Sequence, residues 1–229
     1  MKTNLIFSVL GILSFFSVGF SQTYMEDTQQ LIRLQNDMNA RGHTKSKPIV
    51  TGSPYVLENY ISGKVSNATE NILFKYNAHD DEIEIIEGNK VSILVPEKNL
   101  LITSVANFNY IYTDYFDKKG EFQSGYLNFI SDYDKVKFFK KEKIVVDPAV
   151  EPKNSYEVAS PAKYRKVDPD YYVKINDAEA VYFSRKKKDL DKLFPAKEKE
   201  ISKFIKDNNI SLTKEENLDR LFSYINGIL

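Results

Sequence analysis

The chain has 229 residues, and its 32 Lys and Arg residues balance 32 Asp and Glu residues, which argues against a dedicated nucleic-acid-binding protein. It contains no Cys, so a disulfide framework, a cysteine-based zinc site and thiol catalysis are excluded. A hydrophobic content of 42%, with 13% aromatic residues, predicts a folded globular protein rather than a disordered chain.

Residues 1–21 have the pattern of a secretory signal peptide. Lys2 precedes the apolar run of residues 5–20, which is shorter than the ~20 residues that a membrane-spanning helix needs. Gly19 and Ser21 are the small residues expected before a cut between residues 21 and 22. An uncleaved membrane anchor is the alternative. We therefore expect an exported protein, periplasmic, outer-membrane-associated or secreted, that is not integral to the membrane after cleavage.

Residues 22–48 are predicted to form a helix followed by a linker. Leu31, Leu34 and Met38 recur at helical spacing, and Gly42 follows them as a helix stop. The linker is polar, and beyond it the apolar residues change to the period of two that is typical of strands.

Residues 49–184 are predicted to form an antiparallel β-domain, because β-rich runs follow one another with connections too short for parallel crossovers. The runs are Ile61–Ser66, Ile72–Asn77, Glu82–Ile86, Val91–Val95, Leu100–Ala106, Asn107–Phe116, Phe122–Ile130, Lys135–Val146, Tyr171–Ile175 and Ala180–Ser184. Gly88-Asn89 predicts a tight hairpin, and Asn176-Asp177 predicts a second turn. We expect a meander that curls into a sandwich or a partly closed barrel.

Half of the eight prolines lie in residues 147–170, at Pro148, Pro152, Pro161 and Pro169. Proline lacks a backbone N–H and fits neither a central strand nor a helix interior. This stretch is therefore predicted to be a long surface connection.

Residues 185–229 are predicted to form two or three helices packed on the β-domain, which makes the fold class α+β. Short helices are expected at Lys187–Phe194 and Ala196–Asp207. A third helix carries an apolar stripe. Thr213 and Glu216 have the spacing of a capping box before it. The stripe consists of Leu218, Leu221, Phe222 and Ile225.

Three segments resemble a family of uncharacterised secreted proteins of Bacteroidota cell envelopes. They are Gly52-Ser53-Pro54-Tyr55, the run from Phe74 to Ile85, and the tail of residues 186–209, KKKDLDKLFPAKEKEISKFIKDNN. The resemblance implies an exported bacterial envelope protein. It brings no catalytic residues with it.

His79, Asp80 and Asp81 open the densest group of potential metal ligands in the sequence. Glu82 and Glu84 follow, and a hard cation such as Ca²⁺ accepts several carboxylates. The alternative is a turn that runs into a solvated strand face, because the glutamates alternate with apolar residues. His79, Asp80 and Asp81 are therefore candidate metal ligands or acid–base groups.

Tyr110, Tyr112 and Tyr126 are candidate binding residues. Tyrosine rings stack on sugars, and a sheet face lined with them can bind a partner. The alternative is that these rings pack in the core of the sheet, where aromatic residues are common.

Basic residues are dense in one strand region and in the run Arg185–Lys188. Such patches can face an anionic surface such as lipopolysaccharide or a membrane. Lysines also protect exposed sheet edges from unwanted pairing, which is the alternative. The strand lysines are Lys135, Lys137, Lys140, Lys141 and Lys143.

Motifs for nucleophilic catalysis are lacking or unspecific. No Gly-x-Ser-x-Gly elbow occurs, and Ser-x-x-Lys, which begins at Ser160, Ser184 and Ser211, is about as frequent as chance allows. No Lys-Thr-Gly partner accompanies it, and no cofactor is implied.

The sequence therefore favours a non-catalytic binding module of the cell envelope, with an envelope protein, a polysaccharide or a lipid as its partner. A hydrolase of an envelope polymer that uses His79, Asp80 and Asp81 is one alternative. A carrier that holds a hydrophobic ligand in a curled sheet is the other. A flat aromatic face would favour the binding module, a cleft with converging polar groups around His79 the enzyme, and an enclosed apolar cavity the carrier.

Overall fold

The computed structural model describes residues 50–88, 90–151 and 160–229. The signal peptide and helix predicted for residues 1–48 lie outside this part of the chain, as does Asn89 of the expected hairpin.

The described residues form ten strands and three α-helices, which confirms a mostly β-sheet α+β fold. The strands are β1 (Ile61–Val65), β2 (Asn71–Asn77), β3 (Glu82–Glu87), β4 (Lys90–Ile93), β5 (Leu101–Ser104), β6 (Tyr110–Phe116), β7 (Phe122–Asp132), β8 (Val136–Asp147), β9 (Lys163–Ile175) and β10 (Ala180–Tyr182). The helices are α1 (Lys187–Leu193), α2 (Glu198–Asp207) and α3 (Glu215–Ile228), and a 3₁₀ turn lies at Pro195–Lys197. No described helix has both the length and the apolar character needed to cross a lipid bilayer.

All strands belong to one sheet, in the order β10-β9-β8-β7-β6-β5-β1-β2-β3-β4. Strand β10 also pairs with β6, with Ala180 opposite Tyr115, so strands β6 to β10 close into a ring. This last pairing is parallel, so the sheet is mixed and the prediction of an all-antiparallel meander is corrected. The reason is geometric: when five strands alternate in direction around a ring, the first and the last must run the same way.

Strands β1 to β5 form a second body of the sheet, which we call the wing. Its inner face packs on the outside of the ring, where Tyr110, Tyr126 and Ile144 join a cluster with Phe74 and Ile83 of the wing. Burying these large side chains contributes roughly 1.5–3 kcal/mol each. The hydrophobic contact therefore holds the wing against the ring.

The helices cover a different part of the ring surface. Leu218 and Phe222 of α3 pack against Phe138 of β8 and Val173 of β9. The Phe222 and Phe138 rings stack with their centroids 4.7 Å apart. The apolar stripe predicted for the third helix thus faces the sheet.

Two expectations about the C-terminal half are wrong. Strand β9 begins at Lys163, so the connection predicted for residues 147–170 ends at least seven residues early. Pro169 is accommodated because the pairing of β8 with β9 shifts register beside it, between Lys141 and Lys143. The capping box is also absent, since α3 begins after Lys214 without a side-chain cap and the Thr213 hydroxyl bonds to Ser211 instead.

Candidate functional site

An open cavity of about 530 Å³ lies at one end of the ring, where the β7–β8 and β9–β10 hairpins turn. We call this the ring mouth, and its volume is in the range typical of small-molecule sites. It is lined by Asn99, Ile111, Thr113, Phe129, Asp134, Lys135, Lys137, Phe139, Lys174, Asn176 and Asp177.

The floor of the ring mouth is apolar. Ile111, Phe129 and Phe139 face the ring interior, because side chains alternate between the two faces of each strand. The Phe129 and Phe139 rings contact each other with centroids 4.8 Å apart. Leu127 and Tyr172 fill the interior beneath them and leave a packed base for the cavity.

Two lysines stand side by side at the ring mouth. Lys137 of β8 is directly opposite Lys174 of β9, and like charges in such a pair destabilise a sheet. Lys137 forms an ion pair with Asp132, and its ammonium lies 5.9 Å from the centre of the Phe129 ring. Lys174 is half-buried and makes no side-chain hydrogen bond or ion pair with any residue of the described ranges.

The rim of the ring mouth carries both positively and negatively charged side chains. Lys135, Asp134, Asn176 and Asp177 are all exposed and lie on the two hairpin turns. Water and salt screen such exposed charges strongly, whereas the half-buried Lys174 is screened less.

The opposite end of the ring is closed by an ion pair. Asp81 accepts a hydrogen bond from the Lys141 ammonium at 2.7 Å and another from the Tyr76 hydroxyl at 2.7 Å. Lys141 lies four residues from Lys137 on β8, which places it about 13 Å deeper along the strand. Burial lowers the pKa of Lys141, and the Asp81 carboxylate partly offsets that effect. Leu127 and Tyr172 fill the ring interior between this ion pair and the ring mouth, so the cavity has a closed base.

The three candidate metal ligands do not converge. The His79 ring contacts the carbonyl of Ile144 through Nδ1 at 3.1 Å, and Asp80 accepts a hydrogen bond from Asn77. Asp81 points instead to Lys141. Across the described ranges, no group of three or more His, Cys, Asp or Glu residues is arranged to hold a metal. In this arrangement each of the three side chains has a separate partner: His79 and Asp81 contact β8, and Asp80 contacts Asn77 of β2.

The three candidate tyrosines do not form an exposed face. Tyr110 and Tyr126 are each 1% exposed and pack around the Tyr76 ring in the core between ring and wing. Only Tyr112 is partly exposed, and its ring contacts that of Tyr126. Tyr110 and Tyr126 are covered because the wing folds over that side of the ring, which is the core-packing alternative considered for these rings.

Sequence reasoning found only part of the ring mouth. Lys135 and Lys137 belong to the lysine-rich strand noted above, but Lys174 and Phe129 carried no signal of their own. Their shared position depends on the pairing register of β7, β8 and β9, which no local pattern specifies.

Comparison of the chain with protein-family models, curated proteins and solved structures gives no match.

Proposed function

We propose that the protein is a non-catalytic binding module of the cell envelope that holds a small, partly apolar ligand in the ring mouth. One observation carries this proposal: a cavity of about 530 Å³ with an apolar floor opens at one end of a ring that is closed at the other. The geometry thus favours a module that holds its ligand in a cavity over one that binds a partner on a flat aromatic face.

The floor supplies the binding energy in this proposal. Each ligand methylene that leaves water for the surface of Phe129, Phe139 and Ile111 contributes about 0.8 kcal/mol. The aromatic pair rests on a packed interior, so the cavity is formed before the ligand arrives. A preformed site keeps the entropic cost of binding low.

The hydrolase alternative has less support. It placed His79, Asp80 and Asp81 at a reacting centre, but each of these side chains already has a separate protein partner. None of the three lines the ring mouth.

Export of the protein is the other part of the proposal, and it rests on the pattern of residues 1–21. Expression of the full chain in a bacterium, followed by fractionation, tests it. We expect the chain outside the cytoplasm and a variant without residues 1–21 inside it. Finding both in the cytosol would contradict export.

Ligand binding is tested with Nile red, an uncharged dye that fluoresces in apolar sites. We expect the protein to bind the dye and Phe129→Ala to weaken binding about tenfold, the effect of losing one buried aromatic contact. Phe122→Ala is the matched control, because Phe122 is 56% exposed and lies at the far end of β7. Circular dichroism checks that both variants fold. Equal dye affinity in all three proteins would contradict the proposed site.

A further inference from the structure

Lys174 places a positive charge at the ring mouth without forming an ion pair with a described residue. Its charge does reach the Asp114 carboxyl, whose pKa is lowered mainly by a hydrogen bond from Lys98 and to a smaller extent by Lys174. Lys137 and Lys174 face each other across β8 and β9, at a separation where two like charges repel. Asp132 neutralises Lys137, but no described side chain forms an ion pair with Lys174. Lys174 is half-buried, so water shields its charge only in part.

We infer that the ring mouth recognises an amphipathic ligand with a singly charged anionic head group, such as a carboxylate, bound by Lys174 beside Lys137. This inference rests on the proposed function and specifies its ligand class. The head group completes the charge pair at the rim, and the apolar part lies on Phe129 and Ile111 below it. Lys137 lies over the Phe129 ring, so cation and apolar floor are within reach of one small molecule.

The acidic rim residues limit the charge of the ligand. Asp134 and Asp177 line the ring mouth and are exposed on the hairpin turns. A ligand with one negative charge can place its head group against Lys174, away from the turns. A second negative charge on the ligand would lie closer to Asp134 and Asp177 and would be repelled by them. A head group with one charge therefore fits this arrangement better than a polyanion.

The test compares three ligands with the same alkyl chain: octanoate, octanol and octyltrimethylammonium. Each competes with Nile red for the wild-type protein at low salt. We expect octanoate to displace the dye at about tenfold lower concentration than octanol, because a charge-assisted hydrogen bond is added. The cationic ligand is expected to be the weakest competitor, and added salt should narrow the differences.

Two variants assign the effect to Lys174. Lys174→Met keeps the length of the side chain but removes its charge, and it should erase most of the preference for octanoate without changing octanol binding. Lys163→Met is the matched control, since Lys163 is an exposed lysine on the same strand outside the ring mouth. Removing one of two opposed like charges should also leave the melting temperature of Lys174→Met unchanged or raised.

The outcomes separate the two proposals. If no alkyl ligand displaces the dye, or the dye does not bind, the proposed function fails. If octanol competes as well as octanoate, the site stands and the inference about charge is overturned. An octanoate preference that survives in Lys174→Met would overturn the role of that lysine, and loss of the preference in Lys137→Met would then assign it to Lys137.

Discussion

Gly125 lets the closed end of the ring hold a charged pair. A Cβ atom at this position would clash with Asp81 Oδ2 and would come within 2.8 Å of Lys141 Nζ. The two groups that meet there are the same ones that form the partly buried ion pair. The absence of a side chain at this single position is therefore what gives the pair its space.

Gly125→Ala should push Asp81 and Lys141 apart and lower the free energy of unfolding by about 1–3 kcal/mol, the usual cost of overpacking. Urea denaturation measures the change. Gly227→Ala is the control, because nothing lies within 4 Å of the added Cβ and alanine favours the helix. If Gly125→Ala had the same free energy of unfolding as the wild type, the prediction would be contradicted, because the ion pair could move apart at no cost.

Glu142 is a buried carboxyl group in which one oxygen atom has a hydrogen-bond partner and the other has none among the described residues. Its Oε1 atom accepts from the Asn128 amide at 3.0 Å, while its Oε2 atom has no partner among the residues described. Burial raises the pKa of this group from its usual value of 4.5, although Lys140 acts in the opposite sense. The folded protein therefore binds this proton more tightly than the unfolded chain does. Its contribution to stability is complete below about pH 4.5 and is lost as pH rises through the folded pKa.

Glu142→Gln should remove this pH dependence. We expect the variant to gain stability over the wild type as pH rises above about 4.5, reaching about 1 kcal/mol or more near neutral pH, because no buried carboxylate forms. The measurement is urea denaturation of both proteins at several pH values. A stability difference that does not change with pH would argue that Glu142 titrates as it does in the unfolded chain.

The elements themselves were largely predictable, because each depends on local patterns. The period of two placed every strand from β1 to β8, and Gly88 takes the positive φ of 61° that its hairpin needs. The failures are local rules that other contacts overrode, by strand pairing at Pro169 and by a neighbouring side chain at Thr213. Pro169 was read as a strand breaker, but a register shift accommodates it, and Thr213 was read as a cap, but its hydroxyl found Ser211.

The Asn226 side chain connects helix α3 to the ring mouth. Asn226 Oδ1 accepts hydrogen bonds from the backbone N–H groups of Lys135 at 2.8 Å and of Val136 at 3.3 Å. These residues end the β7–β8 turn, and Lys135 lines the cavity. The helix thereby fixes the position of the hairpin at the rim.

Asn226→Ala should cost about 1–2 kcal/mol of stability, because two backbone N–H groups lose their acceptor. We also expect weaker Nile red binding, since the hairpin at the ring mouth is less restrained. Asn217→Ala is the control on the same helix, because the Asn217 side chain has no hydrogen bond to the described residues. Equal stability of the two variants, from thermal denaturation, would contradict this coupling.

At the scale of the whole molecule, the sequence did not indicate which strand would close the ring. The parallel pairing of β10 with β6 joins segments 65 residues apart, and it follows from the number of strands between them rather than from any residue in them. Lys137, Lys174 and Phe129 already meet through the pairing of β7, β8 and β9, and the closure adds Ile111 and Thr113 of β6 to the same cavity. The pattern placed Tyr110 and Tyr112 on one face of their strand, but it did not indicate that the wing covers Tyr110 and Tyr126.

The architecture predicts unequal stability across the sheet. Strand β8 pairs with β7 and β9 and is covered by α3, whereas β4 pairs only with β3 and leaves Val91 52% exposed. Native-state hydrogen exchange should therefore show slow exchange in β8, close to the rate set by global unfolding, and faster exchange in β4 through local opening. Equal protection of both strands would mean that ring and wing unfold as one unit.

The ring mouth is built partly on β8, the strand expected to be the most protected. An added ligand should therefore slow exchange at the β7–β8 and β9–β10 hairpins and leave β4 unchanged.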